Sequence, residues 1–153
     1  MKCRHCCTTL EHVFLDLGFA PPSNAYLISN DLNVPELYFP LKLLVCDQCW
    51  LVQTEDYAKA DELFGDDYAY FSSISKSWLN HSLAYFELVR NRFSLNTNSY
   101  VIEVASNDGY LLKNFFAESI PCLGVEPTAS TAAVAEGLGI PVIRDFFGSA
   151  LAQ

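Results

Sequence analysis

Apolar and polar positions change rhythm three times along this chain. Up to about residue 55, short β-like runs such as 12–17 and 41–45 are broken by turn residues, Pro21-Pro22-Ser23-Asn24 among them. That pattern predicts a small, loop-rich module. A second zone, about 56–98, opens on Glu55, Asp56, Asp61, Glu62, Asp66 and Asp67 around Lys59, which reads as a solvated face. Beyond it Ile74, Trp78, Tyr85, Val89 and Phe93 recur at helical spacing, predicting one helix from Ser73 to about Phe93. A serine cap starts this helix and Asn96-Thr97-Asn98 stops it. Trp50 and Trp78 read as core residues.

The third zone, 99–153, alternates strand and helix. Tyr100-Val101-Ile102-Glu103-Val104-Ala105 has the continuous apolar character of a buried strand, and Ser106-Asn107-Asp108-Gly109 is a turn. A helix at about 110–118, a strand at 122–126, a helix at about 129–136 and a third strand at 141–144 follow. Strand, helix, strand, helix, strand is the opening of a parallel α/β sheet. A nucleotide-binding sheet of this kind normally has five or more strands. The expected fold is therefore α/β: a small α+β module at 1–55, a connecting segment at 56–98, and the first part of a Rossmann-like sheet, apparently truncated.

Composition narrows the function. The chain has 153 residues, 51% apolar and 18% charged, which is a folding composition rather than a disordered one. Its formal charge of −9 argues against nucleic acid, whose phosphates call for clustered Lys and Arg. No run approaches the roughly 20 apolar residues that span a bilayer. Residues 1–10 lack the apolar core of a secretory signal, so the expected location is cytoplasmic, with no membrane partner. Cysteines in such a reducing compartment are metal ligands or buried thiols more often than disulfides.

Cys3-x2-Cys6 and Cys46-x2-Cys49 form two knuckles, each able to offer two sulfurs to one zinc ion. Their separation exceeds the usual 15–20 residues of such motifs. A small subdomain must then fold between them. Four thiolates would leave no open position, so this metal is structural. His5 and Cys7 compete for a ligand position but fit a CxxC pair less well. Cys122, on an apolar strand, reads as an inert core thiol.

The strand–turn–helix around Glu103 carries the small-molecule signal. An acidic residue near a strand end, a tight turn and a helix N-terminus make a nucleotide cradle. GxGxxG is absent, since Gly109 is the turn's one glycine, and this disfavours the pyrophosphate of NAD. S-adenosylmethionine has no pyrophosphate and suits an acidic, less glycine-rich turn better. Glu126 ends the next strand, where a carboxylate can accept from ribose hydroxyls. Asp108 has a structural alternative as N-cap of the following helix.

Several segments together resemble the S-adenosylmethionine-dependent sugar C-methyltransferases. They are Cys3-Arg4-His5-Cys6, Leu17-Gly18-Phe19-Ala20-Pro21-Pro22-Ser23-Asn24, Cys46-Asp47-Gln48-Cys49-Trp50-Leu51-Val52-Gln53 and Asp67-Tyr68-Ala69-Tyr70-Phe71-Ser72-Ser73. Residues 101–112, Gly124-Val125-Glu126-Pro127 and Asp145-Phe146-Phe147 continue the likeness. The resemblance implies a zinc-binding N-terminal domain followed by a class I methyltransferase domain, acting on a nucleotide-linked keto-deoxysugar through an enolate. It assigns Glu103, Ala105, Ser106, Asn107, Asp108, Gly109, Glu126 and Pro127 to the cofactor, with Pro127 near the adenine. A tyrosine of the Tyr68-x-Tyr70 stretch would approach the sugar.

His81, near the apolar face of the Ser73–Phe93 helix, reads as a hydrogen-bonded core histidine before it reads as a base. The family's later sugar-binding residues lie beyond Gln153, so the 153 residues are expected to be the N-terminal portion, inactive alone. Its partner would be the remainder of the same enzyme or another protein. The competing reading is a zinc-bearing interaction module or non-catalytic remnant.

Overall fold

The computed structural model describes residues 1–66 and 68–153; Asp67, part of the acidic run and of the Tyr-rich motif, lies outside the described residues. The chain divides into two compact units, 1–63 and 64–153. The segment expected to connect two modules, 56–98, is thus shared between them. In element order these are β1 (His12–Ala20), β2 (Phe39–Val45), β3 (Val52–Thr54) and a short helix α1 (Ala60–Leu63) in the first unit. The second holds α2 (Lys76–Phe93), β4 (Val101–Val104), α3 (Leu112–Ala117), β5 (Cys122–Val125), α4 (Ala129–Gly137) and β6 (Val142–Ile143).

The first unit is an antiparallel sheet in the order β1-β2-β3. Val45 pairs with both His12 and Val52, which brings the two cysteine knuckles to one end of the sheet. β1 is an edge strand interrupted twice in register. At the second interruption Gly18 takes φ +76°, and its N–H donates to Asp16 Oδ1 at 2.9 Å. The buried core is small: Cys3, Leu10, Leu44 and Cys46, with Cys49 against them. Two leucines cannot hold a unit of this size, so cross-linking at the cysteines has to supply much of its stability. Of the acidic run, Asp56, Asp61, Glu62 and Asp66 are exposed, as a solvated face should be.

The second unit is a parallel sheet in the order β4-β5-β6, with Val101 opposite Cys122 and Gly124 opposite Val142. α3 and α4 are the two crossovers. Its core gathers Phe86, Leu112, Phe115, Ile120, Cys122 and Ile140, and the Phe86 and Phe115 rings meet edge to face at 4.8 Å. Cys122 is buried there as an apolar-strand cysteine should be. Ser75 caps α2, its Oγ accepting the Trp78 N–H.

Several expectations about burial are corrected. The buried face of α2 is Ser82 and Phe86, with Val89 beside them, not the stripe Ile74, Trp78, Tyr85 and Phe93. Those four are exposed, because α2 meets α3 through the Phe86 side of its surface. β4 was expected to be buried, yet Tyr100, Ile102 and Val104 are exposed. Among the described residues this strand pairs on one side only, with β5. Trp50 is 74% exposed and Trp78 is half-exposed, so neither is a core residue.

Candidate functional site

In the first unit the structure brings Cys3, Cys6, Cys46 and Cys49 together, with their sulfurs all within 4.8 Å of one another. The two knuckles share one backbone plan. Cys7 N–H donates to Cys3 C=O and Trp50 N–H to Cys46 C=O, both at 3.0 Å, and Cys7 and Trp50 both sit at φ +62°. The first knuckle is closed again by Cys3 N–H to Thr8 C=O, the second by Cys46 N–H to Leu51 C=O. This plan places both residues after a knuckle away from the sulfurs. Cys7 is exposed and outside the cluster, and Trp50 is exposed for the same reason.

Three sulfur pairs lie 3.5–3.6 Å apart. A disulfide needs about 2.05 Å. A tetrahedron with Zn–S of about 2.3 Å needs S···S of about 3.8 Å. The sulfurs therefore fit a single tetrahedral zinc ion. Hydrogen bonding favours ionised sulfur at the first knuckle. The Cys6 backbone N–H, against the cost of burial, pulls the Cys3 thiol down to about 6. The Thr8 hydroxyl and N–H hold Cys6 below its ordinary value. Gln53, 4% exposed, was not singled out by its sequence; its Nε2–H donates to Cys3 Sγ at 3.3 Å and its Oε1 accepts the Arg4 N–H at 3.0 Å.

The second unit contains a cavity of about 440 Å³ at the carboxyl ends of β4 and β5. Its lining includes Ala105, Asn107, Glu126 and Pro127 of the expected cofactor set, and Tyr68 and Tyr70 of the expected substrate set. Tyr110, Asp145, Phe146, Phe147 and Phe64 also line it. The adjacency of Tyr110 to Gly109 was the one sequence signal for the first of these. Glu103, Ser106, Asp108 and Gly109 stand behind the turn rather than in the lining.

Turn geometry explains that division. Ala105 at φ +58°, Asn107 at φ +50° and Gly109 at φ +76° put three left-handed backbone positions within five residues. Of these, Gly109 cannot be replaced without cost: a Cβ there would lie 2.7 Å from Ile140 Cδ1. The turn is fastened to β5, since Ala105 N–H donates to Val125 C=O at 2.8 Å. Glu126 Oε2 accepts the Asn107 N–H at 2.8 Å, and Oε1 accepts the Thr128 N–H at 3.0 Å and the Thr128 hydroxyl. A carboxylate has about four acceptor positions. Oε1 is filled, and Oε2 keeps one position for a further donor.

Asp108 does not cap the helix, which corrects that alternative. Leu111 occupies the cap position of α3, and Asp108 Oδ2 instead accepts the Ser73 N–H at 2.9 Å. Among the described residues, Glu103 Oε2, Ser106 Oγ and Asp108 Oδ1 are buried without a hydrogen-bond partner. Burial pushes the Glu103 carboxyl up to about 7, opposed by a hydrogen bond from Tyr110 and reinforced by Asp108 and Glu126. Glu126 and Asp145 are the two acids of the cavity lining, beside the polar groups of Ser72, Asn107 and the three tyrosines.

His81 is exposed and stacked on Trp78 at 5.2 Å, so it is not a core histidine. It falls on the side of α2 away from Ser82 and Phe86. Trp78 in turn lies 5.9 Å from Tyr110, so His81 stands two rings back from the cavity lining. Among the described residues no helix is long and apolar enough to cross a membrane.

Residues 3–64 match a family model described as "Putative zinc binding domain". Over 129 residues the chain is 31% identical to C-methyltransferase NovU of Streptomyces niveus, an alignment covering 84% of this chain and 30% of that protein. The chain thus spans about 30% of the length of the curated relative it matches. Residues 3–64 thus resemble a zinc-binding domain, and the likeness to a C-methyltransferase runs on into the second unit.

Proposed function

We propose that the second unit binds S-adenosylmethionine in the Glu126 cavity and serves C-methylation of a nucleotide-linked keto-deoxysugar, with a structural zinc in the first unit. The observation that carries this reading is the Glu126 carboxylate. It is buried at the end of β5, held by two backbone N–H groups, and keeps one Oε2 acceptor position beside the cavity. That is the arrangement a ribose hydroxyl needs. Asp145 adds a second carboxylate for an exocyclic amine, and Pro127, Phe146 and Phe147 supply apolar surface for a purine. The negative lining also suits a cationic sulfonium ligand.

Bound there, S-adenosylmethionine would supply an electrophilic methyl group. The chain's own residues orient and exclude. The 105–109 turn sets one wall, and Tyr68, Tyr70 and Tyr110 line the cavity beside it. A ketone acidifies its neighbouring C–H, so transfer of that proton to a general base gives an enolate whose carbon is nucleophilic. A phenol O–H of Tyr68 or Tyr70 is suited to donate to the developing oxyanion. Holding the two carbons in near-attack geometry is the larger part of the work.

Equilibrium dialysis tests the cofactor assignment. The chain should retain labelled S-adenosylmethionine, release it to S-adenosylhomocysteine, and retain no NAD. Retention of NAD, or of neither, would contradict it. Solvent deuterium entering a keto-deoxysugar nucleotide next to its carbonyl, without methyl donor, would support the enolate step in the complete enzyme. A second reading, an interaction module, rests on β1, where Phe14, Leu17 and Phe19 are all exposed.

A further inference from the structure

The side chains of Asn107 and Ser130 both bond to the backbone of residues 68–73. Asn107 Nδ2–H donates to Tyr70 C=O at 3.0 Å, and Asn107 Oδ1 accepts the Ser72 N–H at 2.9 Å. This one amide thus bonds to the segment on both sides of Phe71. Ser130, in the first turn of α4, donates through Oγ to Tyr68 C=O at 2.9 Å. Asp108 Oδ2 completes the set by accepting the Ser73 N–H. Each contact is to main chain, so each fixes where the segment runs, and with it where Tyr68 and Tyr70 stand on the cavity wall.

We propose that Asn107 and Ser130 are positioning residues: they clasp the tyrosine-bearing segment to the turn after β4 and to the first turn of α4, making both walls of the cavity one unit. The inference rests on the cofactor reading for the ligand it names, not for the clasp itself. Asn107 is suited to the task by its backbone. At φ +50° most side chains are strained, while asparagine tolerates that region. Its main-chain N–H is separately committed to Glu126. The amide side chain is therefore free to hold the segment while the backbone holds the acid. Ser130 is outside the cavity lining: its Oγ holds Tyr68 C=O and its N–H holds Asp66 C=O at 3.0 Å, so loss of its hydroxyl reaches a ligand only through the clasp.

The test uses Asn107→Gly, which keeps backbone freedom, Asn107→Asp, which keeps the acceptor and loses the donor, and Ser130→Ala. Chymotryptic cleavage after Tyr68 or Tyr70, without ligand, should quicken about tenfold in Asn107→Gly and several-fold in Ser130→Ala, at unchanged melting temperature of the whole unit. Affinity for S-adenosylhomocysteine should fall about tenfold in each Asn107 variant and about threefold in Ser130→Ala, with the double variant clearly less than additive. Normal cleavage in all three variants would overturn the clasp. Weakened binding in Asn107→Gly with a silent Ser130→Ala and additive effects would overturn the positioning role and make Asn107 a direct ligand contact. If the unaltered chain takes up no S-adenosylhomocysteine, the cofactor reading fails, and the cleavage comparison still decides the clasp.

Discussion

The amide of Gln53 ties β3 to the first cysteine knuckle: its Nε2–H reaches Cys3 Sγ at 3.3 Å, and β3 begins at Val52, shortly after Cys49. An N–H donated to a thiolate lowers that sulfur's charge density and fixes its direction. Groups of this kind typically change metal affinity by 10–100-fold when removed. Gln53→Leu should therefore weaken zinc binding by at least about tenfold, measured by competition against a chromogenic chelator. Gln53→Glu, which keeps an acceptor for the Arg4 N–H but gives up the donor, should weaken it too. Unchanged affinity in both would remove Gln53 from the metal site.

Metal removal should unfold the first unit while leaving the second intact, because the first has two core leucines and the second a six-residue cluster. Hydrogen exchange after chelation should show protection lost across β1–β3 and kept across β4–β6. Cys46→Ser should mimic the loss. Cys7→Ser should not, since Cys7 lies outside the sulfur cluster. Protection kept in β1–β3 after full chelation would contradict the account.

Glu103 sets a pH dependence. Its carboxyl titrates near 7 in the fold, above its ordinary value near 4.5, because burial penalises the charge. Between those values the native state binds more protons than the unfolded one, so stability is highest below about 4.5 and falls as pH rises toward and through 7. Glu103→Gln removes the titration. Its melting temperature should exceed that of the unaltered chain at pH 8 and vary less between pH 5 and 8. An identical pH profile in both proteins would show that Glu103 ionises freely.

Gly124 and Ser106 are packed against each other across β5 and the turn: a Cβ at 124 would collide with Ser106 Oγ and lie 3.1 Å from its Cβ. Gly124→Ala should cost about 1–3 kcal/mol by overpacking. Ser106→Gly in that background should recover much of the loss. Gly137→Ala, where nothing lies within 4 Å, serves as the control and should not destabilise.

The metal site was legible because CxxC carries its geometry in its spacing: two sulfurs per turn are enough to name all four ligands. The α/β alternation of the second unit was legible for a similar reason, since each strand is a short apolar run bounded by a breaker. Burial was not. Ile74, Trp78, Tyr85 and Phe93 match a helical stripe as well as Ser82 and Phe86 do, and periodicity alone does not say which stripe meets a neighbour. The turn at 105–109 was recognised as a cradle, but its side chains divide between cavity and clasp according to backbone sign at Ala105, Asn107 and Gly109. That sign is invisible at Ala105, where no residue type advertises it. Gln53 and Ser130 act on partners 50 and 62 positions away, beyond the reach of local pattern.

Calorimetric titration of the chain with S-adenosylhomocysteine, set beside Glu126→Ala and Glu126→Gln, tests the central claim most directly. The account predicts one-to-one binding by the unaltered chain and affinity at least about tenfold weaker in both variants. A circular dichroism spectrum unchanged in Glu126→Gln would show that the loss is of a contact and not of the fold. No heat from the unaltered chain, or equal affinity in a folded Glu126→Gln, would contradict the assignment of this cavity to the methyl donor.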